Sequence, residues 1–191
     1  MNEFTDLTEQ TLSWKEQYSG PLFSVHTDTV RLPDGTTSSR EVVEHVDGVA
    51  VLPLDERNNV LTVTQYRYVF GRTMLEIPAG KLDPGEDPLE AGKRELREET
   101  GVTECQMEPV AAYGVFQEGE DPSFGALFFA DVWELEELPA GSEMAECRLM
   151  EALPEELTYP EIQPALLEQV RHWLDGGNFR SVQDDIFELM M

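Results

Sequence analysis

Polar and acidic positions dominate the first nineteen residues, with Trp14 the one strong apolar anchor, so a short helix or a partly ordered arm is expected there. From Leu22 to Leu32 apolar and polar residues alternate and β-branching is frequent, which predicts a strand. Pro33-Asp34-Gly35 supplies a turn, and Arg40 to Val46 reads as the returning strand. Such a hairpin is too small to be stable alone and must pack on the next domain or on a second subunit. Strands are predicted at Gly48–Leu54 and Val60–Arg67, joined by a polar turn from Asp55 to Asn59, and at Met74–Ile77. Pro78-Ala79-Gly80 is read as a turn, followed by a loop from Lys81 to Glu86. Beyond a helix at Pro88–Thr100, Met107–Phe116 and the apolar run Phe124–Trp133 read as strands, the second buried on both faces. An acidic loop, Gln117–Pro122, separates them, and a polar connection, Glu134–Ser142, leads to a short strand at Glu146–Leu149. A helix at Ile162–Leu174 carries Leu166, Leu167, Val170 and Leu174 on one face, and Val182–Met191 reads as a final helix. Short strands framing helices predict an α/β (mixed α+β) chain, with a mixed sheet between helical layers. The domains are drawn at 1–47, an arm and β hairpin, and 48–191.

The helix at Pro88–Thr100 is the most fully specified element. Asp87 can cap its first amides, Pro88 fits the first helical position, and Glu90 stands where a capping box wants a carboxylate. Gly101 follows the last turn, where a left-handed residue favours glycine. Glu95, Glu98 and Glu99 fall at i, i+3 and i+4, which puts three carboxylates on one face. Like charges so placed destabilise a bare helix and raise each other's proton affinity. A divalent cation removes that cost, and Mg²⁺ takes one or two carboxylates and completes its shell with water and phosphate oxygens. In a chain this rich in glutamate, the competing reading is an ordinary solvated face.

The wider pattern separates the two readings. Gly80, Glu86, Arg94-Glu95-Leu96, Glu98-Glu99 and Gly101-Val102 stand at the spacing GX5EX7REUXEEXGU, which resembles the Nudix box without departure. That resemblance implies an αβα sandwich with a small N-terminal antiparallel β unit. It also implies Glu95, Glu98, Glu99 and the Ala79 carbonyl as ligands of two or three Mg²⁺ ions, Mn²⁺ being possible, with Glu98 and Glu99 counted in the catalytic set. Glu86 and Arg94 are implied as a structural ion pair, with Gly80 and Gly101 as structural glycines. Gln65-Tyr66-Arg67, LEIPAGKL from Leu75 to Leu82, and the VRLPDG turn with its REVVEH strand resemble the ADP-ribose pyrophosphatase branch. By that likeness Arg67 contacts a diphosphate, Arg40 and Glu41 face the adenine, and the N-terminal unit pairs between subunits in a homodimer. A planar guanidinium suits Arg67 to phosphate oxygens, while Arg40 and Glu41 read equally well as an exposed strand pair. The segment Gly141–Cys147 resembles the loop that supplies the family's general base, which nominates Glu143, with Glu146 and Glu120 as rivals. The branch's Ser-Pro-Gly turn is absent after the box, where Gly114–Pro122 stands instead. The implied reaction splits a nucleoside diphosphate joined to another group, ADP-ribose or a nucleotide sugar, into a nucleoside monophosphate and a sugar phosphate. The alternative is a nucleotide-sensing regulator that does not hydrolyse.

Composition narrows the partners. The formal charge is −26, and lysine occurs only at Lys15, Lys81 and Lys93. Nucleic acid and anionic membrane are poor partners for such a field. The acidity serves solubility or a high-salt setting alike. Cys105 and Cys147 form no disulfide framework or metal motif, and His26, His45 and His172 lack metal-ligand spacing. The first residues carry no basic start with an apolar core, and no run approaches the ~20 apolar residues of a membrane span. A cytoplasmic protein is expected.

Overall fold

The computed structural model describes residues 7–116, 123–133, 137–154, 156–176 and 186–190 of the chain. Two compact units divide it, Met1–Val46 and Asp47–Met191.

The first unit is a three-stranded antiparallel sheet of β1 (Gln10–Ser19), β2 (Phe23–Arg31) and β3 (Thr37–His45), in that order. Register between β2 and β3 is unbroken from Phe23↔His45 to Arg31↔Thr37. Their turn is fixed by Asp34, whose carboxylate accepts the Thr36 amide at 2.8 Å and hydroxyl at 2.6 Å. The expected helix or loose arm before residue 20 is instead β1. All ten of its residues are exposed. With neither face buried, the alternation of Leu12 and Trp14 with Thr11, Ser13 and Lys15 reads as merely polar, although it has the strand period.

The second unit holds β4 (Gly48–Leu54), β5 (Val60–Arg67), β6 (Arg72–Glu76), β7 (Ala79–Lys81), α1 (Pro88–Thr100), β8 (Cys105–Phe116), β9 (Ser123–Val132), β10 (Met144–Met150), α2 (Gln163–Leu174) and β11 (Ile186–Met190). The mixed sheet runs β10-β5-β4-β9-β8-β11, with β4–β9 and β11–β8 parallel. A fork in this sheet positions the site. β4 and β5 pair only at Leu54↔Val60 beside their turn and then part. β6 continues along β5 and β7 along β4, so the segment joining β6 to β7 fills the split. The expected turn at Pro78–Gly80 is therefore largely strand. Val51 donates to the Pro78 carbonyl at 2.9 Å, holding the chain extended into β7.

Successive β4 residues point to opposite faces. Ala50, Leu52 and Leu54 join Leu127, Leu166, Leu167 and Val170 under α2. Val51 joins Leu61, Leu96 and Val102 under α1, and Val49 joins Ala91 and Phe128 there too. Each such valine, leucine or phenylalanine side chain fully withdrawn from water contributes about 1.5–3 kcal/mol. β9, between β4 and β8, is buried on both faces through Leu127 and Phe128, though its flanking Phe124 and Trp133 are exposed. Leu174 is also exposed, so α2 buries a shorter stripe than its period suggests. The expected final helix is corrected as well: Ile186–Met190 is a strand in parallel register with Ala112–Phe116. A short apolar run carries no decisive period, and pairing with β8 decides it. The acidic loop 117–122, and residues 182–185 and 191 of that expected helix, lie outside the described residues. Among the described residues no helix is long and apolar enough to cross a membrane.

Candidate active site

Helix α1 is anchored at both ends. Asp87 accepts the Leu89 and Glu90 amides at 3.0 and 3.3 Å. At the other end Gly101 takes φ 84°, a left-handed value that closes the last turn onto Arg97. Glu90 turns to Lys93 at 2.8 Å. Ala91, Gly92, Leu96 and Thr100 are buried against the sheet. That orientation leaves Glu95, Glu98 and Glu99 along one flank of the helix.

Strand β7 meets this flank. Because residues 51 and 78 form a hydrogen-bonded pair, the 50/79 pair is the open one of the antiparallel ladder, and Ala79 turns its amide and carbonyl away from β4. Its amide donates to Glu99 Oε2 at 3.1 Å. Next to it, a Cβ on Gly80 would overlap the Glu95 carboxylate, so only glycine lets that side chain lie against β7. Arg94 grips Glu86 with two prongs, Nε to Oε1 at 2.9 Å and NH2 to Oε2 at 2.8 Å. It also reaches the Lys81 carbonyl at 3.0 Å and Glu95 Oε1 at 2.7 Å, with Glu98 Oε2 3.5 Å away. The Arg94 bonds, aided by the Asp83 amide, hold the Glu86 carboxyl down to about 2. One guanidinium thus ties loop, strand and helix together.

A cleft of about 410 Å³ opens on the three box glutamates and is lined also by Gln65, Glu143 and the loop from Pro139 to Ser142. Gln65 Nε2 donates to Glu143 Oε2 at 3.2 Å. Glu143 and the box carboxylates therefore share one opening. Glu146 lines a different cleft and pairs with Arg148 at 2.6 Å. Glu120 lies outside the described residues. Arg67 ends β5 and pairs with Glu76, a buried carboxylate that also accepts the Thr158 hydroxyl at 2.8 Å. Arg40 and Glu41 stand on β3 of the N-terminal sheet. There Arg40 bonds Glu9 at 2.6 Å and the Ser39 carbonyl at 2.9 Å, and Glu41 is exposed.

Gln65, Glu76 and Thr158 received no role from the sequence. Glu76 left one signal, a carboxylate amid the apolar residues Met74, Leu75 and Ile77, where an unpaired charge is costly. Thr158 left none, since its partner is 82 residues away in the chain.

Burial pushes the Glu99 carboxyl up to about 8, with the Glu95 and Glu76 charges adding to the rise and the Ala79 amide and Arg67 opposing it. Burial also raises Glu95, against the pull of Arg94. Among the described residues no three acidic, histidine or cysteine side chains converge as a ready cation cage, and Arg94 and the Ala79 amide engage Glu95 and Glu99. The donor set still fits a hard cation: crowded oxygen ligands whose charge is penalised, beside a backbone carbonyl turned away from its sheet partner.

The site is thus an acidic helix flank facing a glycine-bearing strand, on a mixed sheet packed between two helices. The chain belongs to the Nudix hydrolase family: a NUDIX domain matches residues 44–175, and a nucleoside diphosphate sugar hydrolase N-terminal domain matches residues 9–43. It is 39% identical over 107 residues to an ADP-ribose pyrophosphatase of Bacillus subtilis (strain 168), covering 56% of this chain and 58% of that one. It is 44% identical over 100 residues to a methanol dehydrogenase activator of Bacillus methanolicus, covering 52% and 54%. The chain thus spans about half the length of the curated relatives it matches. The crystal structure of an ADP compounds hydrolase shares the fold at TM-score 0.66 and 19% identity, over 91% of this chain and 98% of that one.

Proposed function

We propose that the chain hydrolyses the pyrophosphate bond of a nucleoside diphosphate joined to a second group, ADP-ribose or a nucleotide sugar, releasing a nucleoside monophosphate and a sugar phosphate. The observation that carries this reading is the single cleft shared by Glu95, Glu98, Glu99, Gln65 and Glu143. Glu95, Glu98, Glu99 and the Ala79 carbonyl would hold Mg²⁺, or Mn²⁺ in its place. Such an ion, when bound, polarises phosphoryl oxygens and lowers the pKa of water. Arg67 binds the diphosphate and orients it for attack. Glu143, held by Gln65, accepts the proton of the attacking water. Glu86 and Arg94 keep loop and helix in register.

The homodimer belongs to the same proposal. Strands β1 and β3 each pair on one side only within their sheet, and Trp14, Tyr18, Leu22, Phe23 and Val43 are exposed. Open strand edges with exposed apolar side chains suit pairing with a second copy. Arg40 and Glu41 read the adenine in this arrangement.

The test is turnover of ADP-ribose, nucleotide sugars, dinucleotides and nucleoside triphosphates with Mg²⁺, following nucleoside monophosphate by chromatography. Cleavage of a sugar-linked diphosphate above the others is expected. Activity that persists in excess EDTA sinks the metal assignment. A second reading is a nucleotide-sensing regulator that does not hydrolyse; one similar protein is named for activating another enzyme. Binding without turnover across the whole panel selects it.

A further inference from the structure

Arg67 stands in an unfavourable place for a cation. It is directly opposite Arg72 across the β5–β6 hairpin, on the same face. Like charges so placed repel, and a guanidinium without restraint swings into water. Glu76 supplies the restraint. Its side chain is only 4% exposed, against 33% for Arg67. Oε1 accepts Arg67 Nε at 2.5 Å, and Oε2 accepts NH2. Thr158 donates its hydroxyl to Oε1 at 2.8 Å, and its own amide donates to the Leu75 carbonyl at 3.3 Å. Leu157 forms a bridge with Leu75 beside it. The carboxylate is thus held from β6 and from the segment before α2. Removing a carboxylate from water costs several kcal/mol unless it is paired. A salt bridge on the surface would need no such burial.

The grip uses Nε and NH2. Among the described residues NH1 has no hydrogen-bond partner, and the Arg67 side chain is partly exposed. Arg67 is also near enough to Glu99 for their charges to stabilise each other. Arg67 does not itself line the cleft, but Gln65, two residues before it and so on the same face of β5, does.

We propose that Glu76 is a positioning residue: it fixes the back of the Arg67 guanidinium so that the front meets the substrate's diphosphate. The inference rests on the proposed role of Arg67 in binding a nucleoside diphosphate. Glu76→Gln keeps the size of the side chain and its acceptor for Thr158 but loses the charge that holds Arg67. KM for ADP-ribose should rise about tenfold, the equivalent of one charge-assisted bond, while kcat changes less than about threefold. Arg67→Ala should raise KM at least as much and lower kcat as well, since it also removes the contact that orients the diphosphate, and the double variant should be no worse than Arg67→Ala alone. An unchanged KM in Glu76→Gln, or effects that add in full, overturns the proposal.

Thermal melting is recorded for each variant. Should Glu76→Gln fail to fold, Thr158→Val decides, since it removes one donor to Glu76 at nearly constant volume. A raised KM with an unchanged melting temperature supports the positioning role, and an unchanged KM overturns it. Wild-type turnover of ADP-ribose, measured first, tests the reaction separately. Where the protein binds ADP-ribose without cleaving it, the dissociation constant replaces KM in the same comparison. Where it does neither, protection of the Arg67 Nε–H from solvent exchange still reads the grip, and free exchange overturns it.

Discussion

The segment from β6 through α1 and the three-stranded sheet of β1 to β3 use charge and apolar surface in opposite ways. In the first, Arg94 binds Glu86 and Glu95, and Glu99 meets the Ala79 amide. The apolar stripe of α1 is buried beneath them. In the second, every residue of β1 is exposed, and Trp14, Tyr18, Phe23 and Val43 face water beside abundant polar groups. The first segment is closed by its own contacts and buries carboxylates at a cost that a ligand can relieve. In the second, among the described residues, β1 and β3 each pair on one side only and apolar side chains stay exposed. The two regions thus differ in what each leaves unfinished: charge in one, edge and apolar area in the other.

The sharpest way to break the comparison is to discharge the first region without changing its shape. Glu99→Gln keeps the acceptor for the Ala79 amide and should fold at least as well as wild type. Turnover should fall by about 10²-fold or more if this carboxylate holds a catalytic cation. Near wild-type rates with Mg²⁺ would reduce the helix flank to a solvated face. Next in size is Gly80→Ala. The added methyl displaces the Glu95 carboxylate from β7, and a shift of about 1 Å in such a group costs tenfold to a hundredfold in rate. Stability should drop by only about 1–3 kcal/mol, as for other overpacked positions. A variant with equal loss of folding and rate would show that Gly80 serves packing alone.

The same contrast explains what could be read from the sequence. Local rules specify α1: Asp87, Pro88 and Gly101 bound it where the structure does, and the spacing of its glutamates needs no distant partner. The Gly80 and Ala79 positions were legible through the box pattern, although the strand they form was not, because β7 exists only by pairing with β4. Contacts across long sequence separations left no trace. Thr158 finds Glu76, and Gln65 finds Glu143, through folding alone. β1 was missed because an exposed strand has no buried face to make its alternation visible. β11 was missed because a short apolar run fits either period until β8 offers an edge.

A smaller effect probes the second region. Val43 on β3 is 47% exposed. Val43→Asp places a carboxylate on that face of a chain already carrying −26. If a second copy covers the sheet, the dimer dissociation constant should rise about tenfold, a typical loss at a buried interface position. Sedimentation velocity over a concentration series reads it directly. A wild-type monomer at all concentrations removes the dimer, and an unshifted dimer moves the interface elsewhere.

The smallest effect is a matter of one proton. With no cation bound, burial pushes the Glu99 carboxyl up to about 8, against 4.5 for an ordinary glutamate. Between those values the folded chain holds a proton at Glu99 that the unfolded chain has released. Stability must then fall as pH rises through this window, because the slope follows the protons bound unfolded minus those bound folded. Above about pH 8 both states are ionised and the contribution becomes flat. Glu95, also raised by burial, acts with the same sign. Self-repulsion of the acidic chain follows pH too, so the informative quantity is wild type minus Glu99→Gln. Their melting temperatures should converge near pH 5 and separate towards pH 8, with the wild type lower. A bound cation replaces that proton, so Mg²⁺ should lift the wild-type curve more at pH 8 than at pH 6 and leave the variant nearly unmoved. It should also release somewhat less than one proton at pH 7, measurable by calorimetry in buffers of different ionisation enthalpy. Binding of Mg²⁺ with no proton release at that pH would mean that the cation sits away from Glu99. The acidic flank of α1 would then resemble the N-terminal sheet after all, a surface left to solvent or to another chain.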